Sequence, residues 1–159
     1  MRPCDGLLQV LSSSTHLPSG LSTLRLHRIS LRPNQLRQFA GLFPKVKSVE
    51  LDQCILTPDC LIECVEGFSK ITNVVVVLRK DLGGAALKQF CEGALAACTA
   101  MEALRAGNGH QLVLEFRDRS IMASHFLTLK RYQGMWQQHM AGASPRVKLE
   151  VSNWTSGLP

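Results

Sequence analysis

Aromatic residues are scarce, at 6% of the 159-residue chain. Leu, Val, Ile and Ala must therefore fill most of the interior, as suits identical layers stacked at a fixed spacing. No window approaches the uninterrupted apolar length of a membrane-spanning helix, roughly eighteen residues or more, so no membrane insertion is expected. No run reaches five like charges: Arg25, Arg28, Arg32 and Arg37 are spread thinly, and the basic doublets Arg79-Lys80 and Lys130-Arg131 are short. The formal charge of +6 then reads as a mildly basic solvated surface, which argues against nucleic acid as the main partner, since such binding gathers basic residues on one face. Cys4, Cys54, Cys60, Cys64, Cys91 and Cys98 contain no Cys-x-x-Cys pair, and no His stands near them at zinc-finger spacing. Cys60 and Cys64 lie one helical turn apart, but no further ligand sits at a suggestive distance from them. The histidines, His16, His27, His110, His125 and His139, form no local cluster.

Signatures of catalysis are absent as well. There is no phosphate-cradling glycine loop with Lys, no His-Glu-x-x-His and no nucleophile elbow. Gly107-Asn108-Gly109 reads as a turn rather than a dinucleotide fingerprint. No enzyme activity, cofactor or metal is expected. Met1-Arg2-Pro3 leads into a short apolar stretch broken by Ser12, Ser13 and Ser14, which is not a secretory leader. The cysteines are accordingly expected to be reduced, mostly buried small hydrophobes in a cytoplasmic protein.

What the chain does contain is a foldable composition, 45% apolar and 19% charged, and an internal repeat. Leu21-Ser-Thr-Leu24-Arg-Leu26, Val46-Lys-Ser-Val49-Glu-Leu51 and Ile71-Thr-Asn-Val74-Val-Val76 start 25 residues apart. Each carries aliphatic residues at relative positions one, four and six. Positions four and six of a strand share a face because side chains alternate, and that face is the one to bury. Position one packs at the entry to the strand. In the second window Cys54 and Leu56 follow where the leucine-rich consensus wants Asn or Cys and then Leu. There a small polar body can meet otherwise unpaired backbone groups.

The intervening segments read as helices. Pro33 to Phe43 has apolar residues near helical spacing, and Thr57 to Phe68 is clearer. Thr57 is the expected N-cap, Pro58 the first helical residue, and Asp59 a complement to the positive helix end. Asp81 is expected to cap the third helix, which carries Leu87, Phe90, Cys91, Ala94, Leu95 and Cys98. Between Met101–Ala106 and Gln111–Phe116 as the fourth strand, the second alternates better. A long helix over Ser120–Met140 and a last strand over Val147–Val151 complete the series. This gives the expected fold: an α/β, right-handed leucine-rich-repeat solenoid, or horseshoe, with parallel strands on the concave face and helices on the convex face. Its expected parts are the helical half of a preceding repeat (1–20), leucine-rich repeats (21–118), an irregular C-terminal repeat or cap (119–151) and a tail (152–159). An array that starts in mid-repeat also suggests a fragment of a longer chain with neighbouring domains.

The stretch Cys54-Ile-Leu56-Thr57-Pro-Asp-Cys60-Leu-Ile-Glu-Cys64-Val resembles the Cys-x-Leu-Thr-x-x-Cys-x-x-Leu pattern of ribonuclease-inhibitor-type leucine-rich repeats. Those repeats form the C-terminal sensor of nucleotide-binding leucine-rich-repeat (NOD-like) innate immune receptors. Leu95-Ala-Ala-Cys98-Thr-Ala-Met101-Glu-Ala-Leu104 is similar to a helix-to-strand join in the same family. The resemblance implies a non-catalytic module that senses a ligand or holds a larger intracellular receptor inactive. The 25-residue period also resembles the cysteine-containing repeats of F-box substrate receptors. An inhibitor that wraps its target enzyme remains a third reading.

In such a solenoid the outward strand residues face a protein partner. By alternation these are Arg25 and His27, Glu50 and Asp52, Val75 and Val77, Val113 and Glu115, then Lys148 and Glu150. Arg25 should neighbour Glu50 and His27 should neighbour Asp52. Val75, Val77 and Val113 should form an apolar strip beside them, giving the apolar centre and polar rim of an ordinary interface.

Overall fold

The computed structural model describes residues 2–17, 20–57, 59–104, 111–118, 123–141 and 147–153. The chain begins with β1 (Arg2–Pro3), α1 (Asp5–Ser13), β2 (Thr23–His27), β3 (Ile29–Ser30) and α2 (Gln35–Leu42). It continues through β4 (Ser48–Asp52), α3 (Cys60–Gly67), β5 (Asn73–Val77), α4 (Gly84–Leu104), β6 (Leu112–Asp118), α5 (Ala123–His139) and β7 (Val147–Asn153). The sheet order is β2-β4-β5-β6-β7, with every neighbouring pair parallel. Each of these strands thus lies beside the one that follows it in the sheet's chain order, with at least one helix between them. β1 and β3 form a separate short parallel pair, which a bridge from Ser30 to Ile55 extends.

The repeated windows become adjacent rungs. Thr23 stands opposite Ser48, and Ser48 opposite Asn73. The bonds at the two ends of the rungs recur in phase. At strand entry Lys47 N–H donates to Ser22 O (2.8 Å), Thr72 to Lys47 (2.8 Å) and Val113 to Thr72 (2.9 Å). At strand exit Arg28 N–H donates to Asp52 O (2.9 Å), Gln53 to Val77 (2.8 Å) and Leu78 to Arg117 (2.9 Å). One local chain path, used three times, extends the ladder past the strands themselves.

The core lies on one face of the sheet. Leu24 and Leu26, Val49 and Leu51, Val74 and Val76, Leu112, Leu114 and Phe116, then Val147 and Leu149 are all buried in one cluster. The helices complete it with Leu36, Phe39, Leu61, Cys64, Leu87, Met101 and Trp136. Each such burial is worth roughly 1.5–3 kcal/mol, so the stacked rows carry most of the stability. Successive helices pack on one another, α1 on α2 through α4 on α5. The closest approach is at Gly67, where an added Cβ would meet the Ala40 Cβ at 3.0 Å. A side chain there would push α2 and α3 apart. Cys54 is buried after β4, its thiol donating to the Leu26 carbonyl at 3.4 Å.

Two caps differ from the sequence expectation. α3 begins at Cys60 with Asp59 as its N-cap, and no side chain caps it. The Thr57 carbonyl instead accepts the Cys60 N–H at 3.2 Å, a turn that delays the helix. Pro58 lies outside the described residues. Asp81 lies three residues before the start of α4, and Arg79 donates to both its carboxylate oxygens at 3.0 and 2.8 Å. Of the fourth-strand alternatives, the second is the strand, and Met101 to Leu104 belong to α4. The Gly107–Gly109 turn and the Trp154–Pro159 tail lie outside the described residues.

The last strand is held by side chains as well as by its neighbour. Trp136 Nε1 donates to the Val147 carbonyl (3.0 Å), Gln133 Nε2 to the Leu149 carbonyl (3.0 Å), and Glu102 Oε1 accepts the Val147 N–H (2.8 Å). These bonds tie the end of the sheet to α4 and α5 and satisfy backbone groups that a terminal strand would otherwise expose. Trp136→Phe removes the indole N–H and leaves the Val147 carbonyl unmet. It is expected to lower stability by about 2 kcal/mol, read as a shift in the urea unfolding midpoint.

Candidate functional site

The face of the sheet opposite the core carries most of the charged strand residues, and the register arranges them in rows; Asp118 is buried on the inward side of β6. One row is Arg25, Glu50, Val75, Glu115 and Glu150. The next is His27, Asp52, Val77, Arg117 and Ser152. A third holds Thr23, Ser48, Asn73, Val113 and Lys148. The expected neighbours meet: Arg25 Nε pairs with Glu50, and His27 Nδ1 lies 2.8 Å from Asp52 Oδ2. Lateral pairs of this kind stabilise a sheet by roughly 0.2–1 kcal/mol each.

The expected apolar strip does not form. Val113 stands opposite Asn73, one row away from Val75. Leu112, Leu114 and Phe116 must all turn inward, and that parity sets Glu115 beside Val75 and Arg117 beside Val77. Nor are the valines open to a partner. Val75 is 5% exposed and Val77 2%, although neither belongs to the core on the other face.

Arg117 reaches across this part of the face. Its Nε and Nη2 donate to Glu115 at 2.9 and 3.2 Å, and its Nη1 lies 3.7 Å from Glu50 Oε1. Glu50 is on β4 and Arg117 on β6, with β5 between them. The guanidinium therefore crosses above β5, and the aliphatic stem of Arg can lie on apolar surface while its head stays paired. Hydrogen bonding to Glu115, with the nearby carboxylates of Glu50 and Asp52, raises the Arg117 pKa above its usual value. The chain Arg25–Glu50–Arg117–Glu115 spans four strands. Alternation had only to be followed one residue past Phe116 to reach Arg117. Its reach over two strands had no signal in the sequence.

The open groups lie toward the two ends of the face. The side chains of Arg25 and His27 on β2 are 70% and 57% exposed, and those of Lys148 and Glu150 on β7 are 55% and 44%. Lys148 Nζ lies 3.1 Å from Glu150. A partner would meet a charged, prearranged surface with a closed centre.

No known protein family, curated protein or solved structure matches this chain. All six cysteines are buried and unpaired. Burial pushes the thiols of Cys60, Cys91 and Cys98 up to about 12 and raises that of Cys64 well above its ordinary value. A thiol in that state is not a nucleophile at neutral pH. Among the described residues no three His, Cys, Asp or Glu side chains gather to hold a metal ion. Among the same residues no helix is long and apolar enough to cross a membrane.

Proposed function

We propose that this chain is a non-catalytic leucine-rich-repeat module that binds a protein partner. In this reading the parallel strands line the concave face of a right-handed solenoid and the helices form its convex face. The observation that carries the reading is the recurrence of one chain path at a 25-residue step, from Arg25 and His27 to their neighbours Glu50 and Asp52. Stacked units of that kind need only their nearest neighbours for stability, which frees the outward side chains for recognition. The sensor or autoinhibitory part of a larger intracellular receptor of the nucleotide-binding leucine-rich-repeat class is the role proposed for it. The support is the Cys54–Val65 pattern, whose Cys54, Cys60 and Cys64 are buried where the repeat packs.

Binding on the concave face is tested by affinity capture from cell extract. The baits are the wild type, an Arg25→Glu/Lys148→Glu variant, and Lys88→Glu as a single charge reversal on α4. Proteins held by the wild type and by Lys88→Glu should be lost from the double variant. Retention of the same proteins by all three baits would remove the concave face as the binding surface.

A further inference from the structure

We propose a second binding site at the strand-exit edge of the sheet, away from the outer face. It accepts an extended acidic peptide of a protein partner, with a carboxylate two residues from a bulky apolar side chain. The site begins with the exit turns. Arg28 and Gln53 follow β2 and β4 in equivalent positions, and both take left-handed backbone, with φ of 52° and 55°. For residues with a Cβ that conformation is costly, and the two exit bonds to Asp52 and Val77 hold it in place. The repeated turn brings Arg28 and Gln53 to one recess of about 340 Å³, whose other walls are Arg79, Lys80 and Asp81.

The charge of this recess is unbalanced. Asp81 is engaged by Arg79, which donates to both carboxylate oxygens. Arg28 and Lys80 make no ion pair among the described residues, and both are exposed. An anion entering here would meet Lys80, Arg28, whose charge acts on Asp81 without forming an ion pair, and the edge of a guanidinium already oriented by Asp81.

Arg79 is also a wall of a second recess of about 180 Å³, which is largely apolar and includes Ile55, Leu56, Leu82 and Phe90. Ile55 is 39% exposed, one of the few large apolar side chains left open. A bare phosphate would use the cations and leave this slot unfilled. A nucleic acid would need basic residues continued along a face, and they stop at this edge. A peptide serves both recesses, because side chains two residues apart on an extended chain share a face and lie only about 6–7 Å apart along its axis. Its carboxylate pairs with Arg28 and Lys80, and the Leu or Phe two residues along enters beside Ile55.

The test is fluorescence anisotropy with a labelled short peptide of mixed Asp/Glu and Leu/Phe. Its Lys-for-acid and Ser-for-apolar analogues are run beside it, with inorganic phosphate as a competitor. The wild type should bind the acidic-apolar peptide and neither analogue comparably. Arg28→Glu/Lys80→Glu should weaken it about tenfold or more, and Ile55→Ser by a smaller factor. Lys80→Glu alone, on an exposed turn, keeps the charge test valid if the double variant melts early. Arg25→Glu on the outer face should change nothing, which separates this site from the concave one. The proposal is overturned by no binding at about 1 mM peptide, by equal binding of the Lys analogue, or by Lys80→Glu binding like the wild type. Full displacement by phosphate with no effect of Ile55→Ser would also overturn it, since a simple anion site would then be all that exists.

Discussion

Val75→Asp should lower the stability of this protein by about 4 kcal/mol, as expected for an uncompensated charge placed where little water reaches. The sequence suggests otherwise. Val75 falls on the outward face, where a new carboxylate would cost little and would only repel a partner. In the structure Val75 is 5% exposed, flanked by Glu50 and Glu115 in its own row. An Asp there would be a third carboxylate among two, beneath a guanidinium already shared between them. Val75→Thr keeps the shape and offers a hydroxyl that can reach those carboxylates, so it should cost no more than about 1 kcal/mol. Urea unfolding of both variants at neutral pH measures the difference. If Val75→Asp unfolds at the wild-type midpoint, the valine is not covered and the Arg117 bridge does not close over it.

Phe116→Ala should cost about 4 kcal/mol, within the range for deleting a buried aromatic ring. Phe116 is 2% exposed and lies on the inward face of β6. Its ring meets that of Phe90 on α4 edge-on, with centroids 5.0 Å apart and planes at 63°. That geometry adds roughly 0.5–1.5 kcal/mol beyond the area buried. Phe90 is only partly buried, so Phe90→Ala should cost distinctly less. The double variant should cost less than the two single changes together, by about 1 kcal/mol, because the rings touch. Strict additivity in the unfolding data would show that the two rings do not interact.

The legible parts of this protein are those governed by local period. Leu24, Val49 and Val74 face inward, and Arg25 meets Glu50, because residues at one phase of a constant step must stack. Less was legible after β5, where the connection to β6 is longer and the constant step ends. Alternation alone therefore sets Val113 beside Val75, where the structure sets Glu115, and gives no sign of the reach of Arg117. The helix starts misled for a related reason. Thr57 and Asp81 have the right chemistry for caps, but a turn bond to Cys60 and a forked pair with Arg79 claim those regions first.

Alternation along each strand and the 25-residue step were enough to determine the parallel α/β ladder, the inward aliphatic rows and the pairing of the first two rungs. Tertiary structure alone decided the register of β6, the closing of the outer face over Val75 and Val77, and the meeting of Arg28, Arg79 and Lys80 at one edge. The physical reason is range. Period acts between residues that repeat along the chain, whereas these features depend on long side chains reaching across strands whose separation in sequence follows no rule.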